Sequence, residues 1–286
     1  MSLEILIGAD VVPTASNTGT FSTDAPELLF QGLSEVWQAA DARIFNLESP
    51  LAEGDPAAQK CGPSLSAPLS CANGIAALNP TAVCLCNNHI LDYGAKGLSS
   101  TRAALKAKGV ASFGAGEDLD EADQPHFFVK KGVRVGVYAV SEHEFSTATD
   151  RKPGANPLDL VNIGDRIREI KSSCDRLIVL YHGGREGYPY PSPDVQKVCR
   201  KIAECGASLV ICQHSHCVGS SERWDNTTIV YGQGNFIFDV GDGGEGFDTG
   251  LLVRYTIGDY EQDAVVPVVR VSGELRWRMK RKRLRF

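Results

Sequence analysis

Polar residues of the types that bind metal ions follow five apolar, strand-like segments of this sequence. Each segment is short and rich in Ile, Leu, Val or Cys, which is typical of a buried strand. The residues that follow them are Asp10, Glu48, Asn88, His89, His182, His214 and His216. In an open α/β sheet the carboxyl ends of parallel strands share one edge, where ligands bind. We therefore expect these side chains to lie close together.

The residue types in this group indicate a metal site. Neutral imidazoles, carboxylates and an amide oxygen suit zinc, manganese or iron, and the group contains no thiolate. His214 and His216 are separated by one residue. Alternate residues of an extended segment face the same way, so we expect both rings to reach one centre. A single histidine is more often a hydrogen-bonded structural residue. The clustering of several histidines and carboxylates here favours divalent metal binding instead. A carboxylate that bridges two ions would let them lie close together.

Strand-like and helix-like segments alternate along the chain. The predicted strands span residues 3–8, 42–47, 81–86, 177–181 and 209–212, and the predicted helices span 26–40, 71–78, 94–108, 162–172 and 193–205. A hairpin is predicted over 127–140, with its turn at Lys131-Gly132. Only strands are predicted after Thr227, over 227–231, 251–257 and 265–271. This order indicates one α/β domain with partly mixed sheets.

Composition and charge exclude several classes of protein. The 286 residues are 43% hydrophobic and 22% charged, which argues against a disordered or fibrous chain. A net charge of −6 argues against specific nucleic-acid binding. No apolar run reaches the roughly 20 residues of a membrane span. The first residues do not resemble a signal peptide, so we expect a cytoplasmic protein, or a cell-surface one if a native leader was removed. The nine cysteines are expected to be mostly reduced core residues.

Five strings of residues occur in the order seen in the CapA family of capsule-synthesis proteins. They are Asn-Leu-Glu-Ser-Pro-Leu (46–51), Asn-Asn-His-Ile-Leu-Asp-Tyr-Gly (87–94), His-Gly-Gly-Arg-Glu (182–186), Gln-His-Ser-His (213–216) and Gly-Asn-Phe-Ile-Phe-Asp (234–239). The sequence resembles this family over about residues 4 to 240. The family is associated with poly-γ-glutamate capsule production and is similar to calcineurin-like metallophosphoesterases. The resemblance implies a single-domain, four-layer metallophosphatase-like sandwich over residues 1–275, followed by a basic C-terminal strand or tail over 276–286.

The same resemblance implies a role for each residue of the predicted metal site. The implied ligands are Asp10 and His216 for a first metal ion, Glu48 as the bridge, and Asn88, His182 and His214 for a second ion. His89 would act as the catalytic residue that donates a proton to the leaving group or stabilises its charge. Metallophosphoesterases carry Asp-x-His at the first strand end, whereas this chain has Asp10-Val11-Val12. The first ion thereby loses a nitrogen ligand, and we expect it to bind more weakly.

Other residues near these motifs have simpler interpretations. Glu186 and Asn235 are candidate substrate-binding residues. Asp92 is interpreted as a cap for the helix that follows it. Residues 188–193 are predicted to form a rim loop with exposed aromatic rings, because the segment is rich in proline. Glu142 and His143 end a predicted strand, so they are possible neighbours of the site.

These observations predict a metal-dependent hydrolase of the CapA type. The expected substrate is an anionic polymer joined by γ-glutamyl amides, or a phosphoester, and the expected process is capsule polymer biosynthesis. The alternative is a non-catalytic, metal-stabilised component of a capsule synthesis or export complex, and Val12 is the residue that supports it.

Overall fold

The computed structural model describes residues 2–23, 29, 32–142, 144–239, 247–258, 262–271 and 276–279. For residues 144, 262–271 and 276–279 it describes the backbone only. His143 therefore lies outside the described residues.

The described residues form sixteen strands and seven α-helices. The strands are β1 (Leu3–Val12), β2 (Ala42–Leu47), β3 (Ala82–Cys84), β4 (Ser112–Phe113), β5 (Ala115–Gly116), β6 (His126–Lys130), β7 (Val133–Ser141), β8 (Gly154–Ala155), β9 (Arg176–His182), β10 (Leu209–Gln213), β11 (Ser221–Trp224), β12 (Thr227–Val230), β13 (Asn235–Phe238), β14 (Thr249–Ile257), β15 (Gln262–Val271) and β16 (Arg276–Met279). The helices are α1 (Thr18–Phe21), α2 (Ser34–Ala39), α3 (Ala72–Ala77), α4 (Gly94–Ala107), α5 (Leu119–Ala122), α6 (Ile163–Lys171) and α7 (Pro193–Glu204). Short 3₁₀ turns cover Leu69–Cys71 and Glu144–Ser146.

Two large mixed sheets form the centre of the fold. The first has the order β16-β15-β14-β1-β2-β3-β4, and β13 also pairs with β1. The second has the order β11-β12-β10-β9-β7-β6. Strands β1 to β4 run parallel in the first sheet, as do β12, β10, β9 and β7 in the second. The carboxyl ends of these parallel strands carry the polar residues of interest.

The alternation of side chains along the strands places the sheets face to face between two layers of helices. On β9, Ile178 and Leu180 pack in the core that joins the two sheets, together with residues of α2, α3 and α4. Val179 and Tyr181, which point the other way, pack with α6 and α7. Each strand buried on both faces needs a nearly continuous apolar sequence, as the segment 177–181 has. The arrangement is helix, sheet, sheet, helix.

Local sequence signals explain where several elements begin and end. Helix α7 starts with Pro193 at its first position, and the Ser192 hydroxyl accepts a hydrogen bond from Val195 N at 3.2 Å. The β6–β7 hairpin turns at Lys131 and Gly132, whose φ angles are 49° and 80°, as a two-residue turn requires. Both elements agree with the sequence predictions.

Other elements differ from prediction. The helix predicted over 26–40 begins only at Ser34 in the described part of the chain, and residues 24–28, 30 and 31 lie outside it. Strand β1 continues to Val12, past the predicted end at residue 8, because it pairs with β2 and β13 there. The basic C-terminal segment contributes β16 at the sheet edge, and residues 280–286 lie outside the described residues.

Two further features concern the chain as a whole. All nine cysteines are free thiols, and six of them are buried. Among the described residues, no helix is both long and apolar enough to cross a lipid bilayer.

Candidate metal centre

Strand ends from both sheets meet at one edge and bring the predicted ligands together. Among the described residues, three overlapping groups have ligand atoms within 4.8 Å of one another. They are Glu48 with His182 and His214, Asp10 with Glu48 and His216, and Glu186 with His214 and His216. Glu48, His214 and His216 each belong to two of these groups, and Glu48 is the carboxylate among the three. This is the position that a bridging carboxylate between two ions would occupy.

Glu48 has surroundings that suit a cation. Its side chain is fully buried, and neither carboxylate oxygen accepts a hydrogen bond from the described residues. His182 Nε2 lies 3.2 Å from Glu48 Oε1. Burial, followed by the negative charges of Asp10 and Glu186, raises the pKa of Glu48 well above its ordinary value. A buried carboxylate without donors is costly, so these residues fit a bound divalent ion.

Asp10 is held in place by the strands beside it. It pairs in register with Asn46 on β2 and Asn235 on β13. Its Oδ1 accepts a hydrogen bond from Asn46 Nδ2 at 2.8 Å, and its Oδ2 accepts one from the backbone N–H of His214 at 3.3 Å. Burial raises the pKa of Asp10, and the nearby His216 opposes this shift. The carboxylate is therefore fixed before any ligand binds.

His214 and His216 reach the site through a turn rather than an extended strand. Strand β10 ends at Gln213, and the two histidines have φ angles of 86° and 50°. These left-handed values are unusual for residues other than glycine and cost about 1–3 kcal/mol each. The ring centroids lie 5.9 Å apart, and that of His182 lies 5.1 Å from that of His214. The two rings lie close together, as predicted. They do so because of the turn and not because alternate residues of a strand face the same way.

Asn88 and His89 lie on the turn after β3. Asn88 Oδ1 is 2.9 Å from His182 Nε2, so the amide oxygen borders the Glu48–His182–His214 group. The neighbouring Asn87 donates hydrogen bonds to Asn46 Oδ1 and to the carbonyl of Leu47, which ties this turn to β2. His89 is buried and belongs to none of the three groups of potential ligands.

Asp92 contacts His89 instead of capping a helix. Asp92 Oδ2 lies 2.6 Å from His89 Nδ1, whereas α4 is preceded by Tyr93 and has no side-chain cap. The capping prediction for Asp92 is therefore wrong, because the turn directs its carboxylate back toward His89. The spacing of three residues between His89 and Asp92 was the signal available in the sequence.

Lys60 also contacts Asp92 and His89, and the sequence did not indicate this. Its Nζ lies 2.5 Å from Asp92 Oδ1 and 3.2 Å from His89 Nδ1, although the two segments are about thirty residues apart. The Lys60 side chain is mostly buried. A lysine in an irregular loop carries no periodic signal that would place it here.

Asn235 and Glu186 lie on opposite sides of the histidines. Asn235 Oδ1 is 2.9 Å from His216 Nδ1, and its Nδ2 donates to the carbonyl of Phe247 at 3.0 Å. These contacts orient His216, and substrate binding by Asn235 stays a prediction. Glu186 is 63% exposed with Oε1 3.7 Å from His214 Nε2, so it can reach either a metal ion or a substrate. Val12 is buried at the end of β1 and offers no ligand.

Comparison with known proteins assigns the chain to a family. Residues 5–240 match the family model for bacterial capsule synthesis proteins, PGA_cap. The chain belongs to this family. It is 28% identical over 247 residues to the capsule biosynthesis protein CapA of Bacillus anthracis, covering 83% of this chain and 59% of that protein. It is 27% identical over 243 residues to the PGA biosynthesis protein CapA of Bacillus subtilis strain 168, covering 83% and 62%.

The chain spans about three fifths of the length of these curated relatives. Its fold is similar to that of a 5'-nucleotidase from Candida albicans SC5314, with a TM-score of 0.54 and 10% identity over 96% of this chain and 53% of that one. At this identity the likeness concerns the fold alone. The predicted CapA family and the predicted metallophosphatase-like α/β fold are both confirmed.

Proposed function

We propose that this member of the capsule synthesis family is a metal-dependent hydrolase that cleaves a γ-glutamyl amide or a phosphoester in capsule polymer biosynthesis. The observation that supports the proposal most is Glu48, a buried carboxylate without hydrogen-bond donors between two groups of potential ligands. A purely structural site satisfies its buried charges with protein groups. A bound divalent ion would compensate this buried carboxylate, which supports the proposal.

The residues divide between two ion positions. Asp10, Glu48 and His216 would hold one ion, and Glu48, Asn88, His182 and His214 would hold the other. Bound divalent ions would supply Lewis-acid polarisation of the scissile group and activation of a water molecule. The first position has fewer protein ligands because β1 carries Val12 where related enzymes have histidine, so we expect the weaker affinity there.

His89 is the residue that we assign to proton transfer. Asp92 and Lys60 both contact its Nδ1, so Nε2 is the nitrogen left to face the leaving group. A ring protonated on both nitrogens, with Asp92 accepting from Nδ1, would donate the Nε2 proton. The Asp92 carboxylate fixes the orientation of the ring. His89 is adjacent to Asn88 in the chain and electrostatically opposes the raised pKa of Asp10, which supports a position beside the proposed metal centre.

The names of the relatives and the chemistry of the site both support the proposed substrate class. Two relatives carry names that refer to capsule or PGA biosynthesis. A centre with divalent ions binds an anionic substrate, and both a γ-linked glutamate polymer and a phosphoester meet this requirement. The alternative function is a metal-stabilised, non-catalytic component of a capsule synthesis or export complex. Val12 favours it, because an incomplete first site weakens the case for two-ion catalysis.

Hydrolysis of a substrate panel distinguishes the two functions. The panel contains an aryl phosphodiester, an aryl phosphomonoester and γ-linked oligoglutamate, each tested with added Mn²⁺, Zn²⁺ or Fe²⁺. We expect metal-dependent cleavage by the wild type and none by a variant with both His214→Ala and His216→Ala. The control is His126→Ala, since His126 lies on β6 and belongs to none of the ligand groups. A wild type that binds metal but cleaves no member of the panel would favour the non-catalytic function.

A further inference from the structure

A cavity of about 680 Å³ lies beside the candidate metal centre, at the carboxyl ends of β7 and β9. Its wall includes Gly183 and Gly184, which directly follow His182, and Ser215, which separates His214 from His216. The cavity and the metal centre therefore share the same two loops. Its volume lies within the range of about 300–1,000 Å³ that is typical of small-molecule sites.

The rim of this cavity is apolar and aromatic. Tyr188 and Tyr190 are 52% and 65% exposed, and their ring centroids lie 5.9 Å apart in an edge-to-face arrangement. Leu160 on the opposite wall is 67% exposed. Single exposed apolar residues are ordinary, but three around one cavity form a surface on which a ligand can stack.

The floor of the cavity carries polar groups that are fixed in place. The Glu142 carboxylate accepts hydrogen bonds from the Tyr181 hydroxyl and from the backbone N–H of Gly184. A Cβ atom at Gly183 would collide with this carboxylate, so the glycine makes the arrangement possible. The Ser141 hydroxyl is fully buried and has no hydrogen-bond partner among the described residues. A buried hydroxyl without a partner is costly, and a ligand in the cavity would supply one.

Charged side chains of both signs line the cavity, so its charges give no strong preference for an anion or a cation. Glu142 and Asp194 would repel an anion. Arg185 would repel a cation, and its guanidinium carbon already lies 5.8 Å from the centroid of the Tyr188 ring. A neutral ligand with one apolar face and several hydroxyl groups satisfies both conditions.

We propose that this cavity binds a neutral sugar ring of the substrate. The C–H face of a pyranose would stack on the rim tyrosines, and its hydroxyls would pair with the Glu142 carboxylate and the Ser141 hydroxyl. The inference rests on the proposed function, since it assigns the sugar to the molecule whose scissile group lies at the metal centre. The chain would then act on a polymer or ester that carries a glycan part.

Saturation-transfer NMR with the full chain tests this binding without turnover. The probes are N,N′,N″-triacetylchitotriose and maltotriose as neutral sugars, adenosine as a nucleoside, and tetramethylammonium as a cation. We expect saturation transfer to the ring protons of a neutral sugar, and an affinity about three- to tenfold weaker in Tyr190→Ala and in Ser141→Ala. Tyr190→Phe keeps the stacking ring and should bind as the wild type does. Val129→Ala, an exposed apolar residue on β6, is the control.

The outcomes separate this inference from the proposed function. No transfer to either sugar, or transfer that survives both Tyr190→Ala and Ser141→Ala, would overturn the sugar site even if the metal-dependent hydrolysis is observed. Binding of adenosine or tetramethylammonium in place of the sugars would overturn it as well. Sugar binding that depends on these residues, in a protein that hydrolyses nothing, would support the site and count against the hydrolase.

Discussion

At the scale of single residues, Glu48 is a buried carboxylate that suits a neighbouring cation. It is buried, without hydrogen-bond donors, and close to the carboxylate of Asp10. Replacing it by glutamine keeps the shape and removes the charge. Supporting residues of metal sites typically contribute about 10- to 100-fold to affinity, so the loss of a bridging ligand should exceed that range.

We therefore expect Glu48→Gln to weaken metal binding by more than about 100-fold, as measured by calorimetric titration of the chelator-treated protein. The matched control is Glu186→Gln, because Glu186 is largely exposed and belongs to a single group of potential ligands. It should weaken binding far less. Equal affinities for wild type and Glu48→Gln would show that Glu48 is not a ligand.

Asp92 acts through His89, and its removal should affect turnover without affecting metal content. Asp92→Asn removes the carboxylate that accepts from His89 Nδ1 and would balance the charge of a doubly protonated ring, the form that can donate a proton from Nε2. We expect the turnover number to fall by about 10²- to 10⁴-fold with unchanged KM and metal stoichiometry. Asp55→Asn is the control, since Asp55 forms a surface ion pair with the exposed Lys96 at 3.4 Å. A variant that loses its metal instead would assign Asp92 a structural role.

At the scale of elements, β13 and β14 approach each other closely at the side of the site where His216 lies. Asn235 on β13 contacts His216, and a Cβ atom at Gly250 on β14 would overlap the carbonyl oxygen of Asn235. We expect Gly250→Ala to lower the free energy of unfolding by about 1–3 kcal/mol and to weaken metal binding, because Asn235 must move. Urea denaturation and metal titration measure the two effects.

The control for this variant is Gly19→Ala, because nothing lies within 4 Å of a Cβ atom at Gly19. Gly19→Ala should leave the free energy of unfolding and the metal affinity nearly unchanged. If Gly250→Ala behaves in the same way, the strands tolerate the extra atom and Asn235 does not determine the geometry of His216.

Regular elements could be predicted from the sequence because their signals are local. The bounds of α6 and α7 agree with prediction to within one residue. Apolar spacing marks both helices, and the Ser192 cap also marks the start of α7. The grouping of the ligands was also predictable, because it follows from parallel strands ending at one edge. The left-handed turn at His214 and His216 was not. It involves long-range contacts such as the backbone N–H of His214 donating to Asp10 Oδ2 at 3.3 Å.

At the scale of the whole molecule, the buried carboxylates link stability to pH. In the absence of metal, burial raises the pKa values of Glu48 and Asp10 above 4.5 and 3.8, their ordinary values. Between those values and the raised ones, the folded state holds more protons than the unfolded state. The stabilising contribution of these groups is therefore full at acidic pH and is lost as the pH rises.

We expect the chelator-treated wild type to lose stability relative to Glu48→Gln as the pH rises from about 5 to 8. Saturating metal should make the wild type more stable than Glu48→Gln, since an ion that binds the folded state adds stability. Urea denaturation at several pH values, with and without metal, measures both differences. Unfolding free energies that stay parallel across this range would mean that Glu48 is ionised and compensated in the metal-free protein.

The central claim is that His89 transfers a proton at a metal centre that does not need His89 to form. The most direct test is the turnover of His89→Ala and wild type on the best substrate of the hydrolysis panel, at equal metal occupancy. We expect the variant to keep its metal and its fold while its turnover falls by about 10²- to 10⁴-fold. Equal turnover by the two proteins would contradict this expectation.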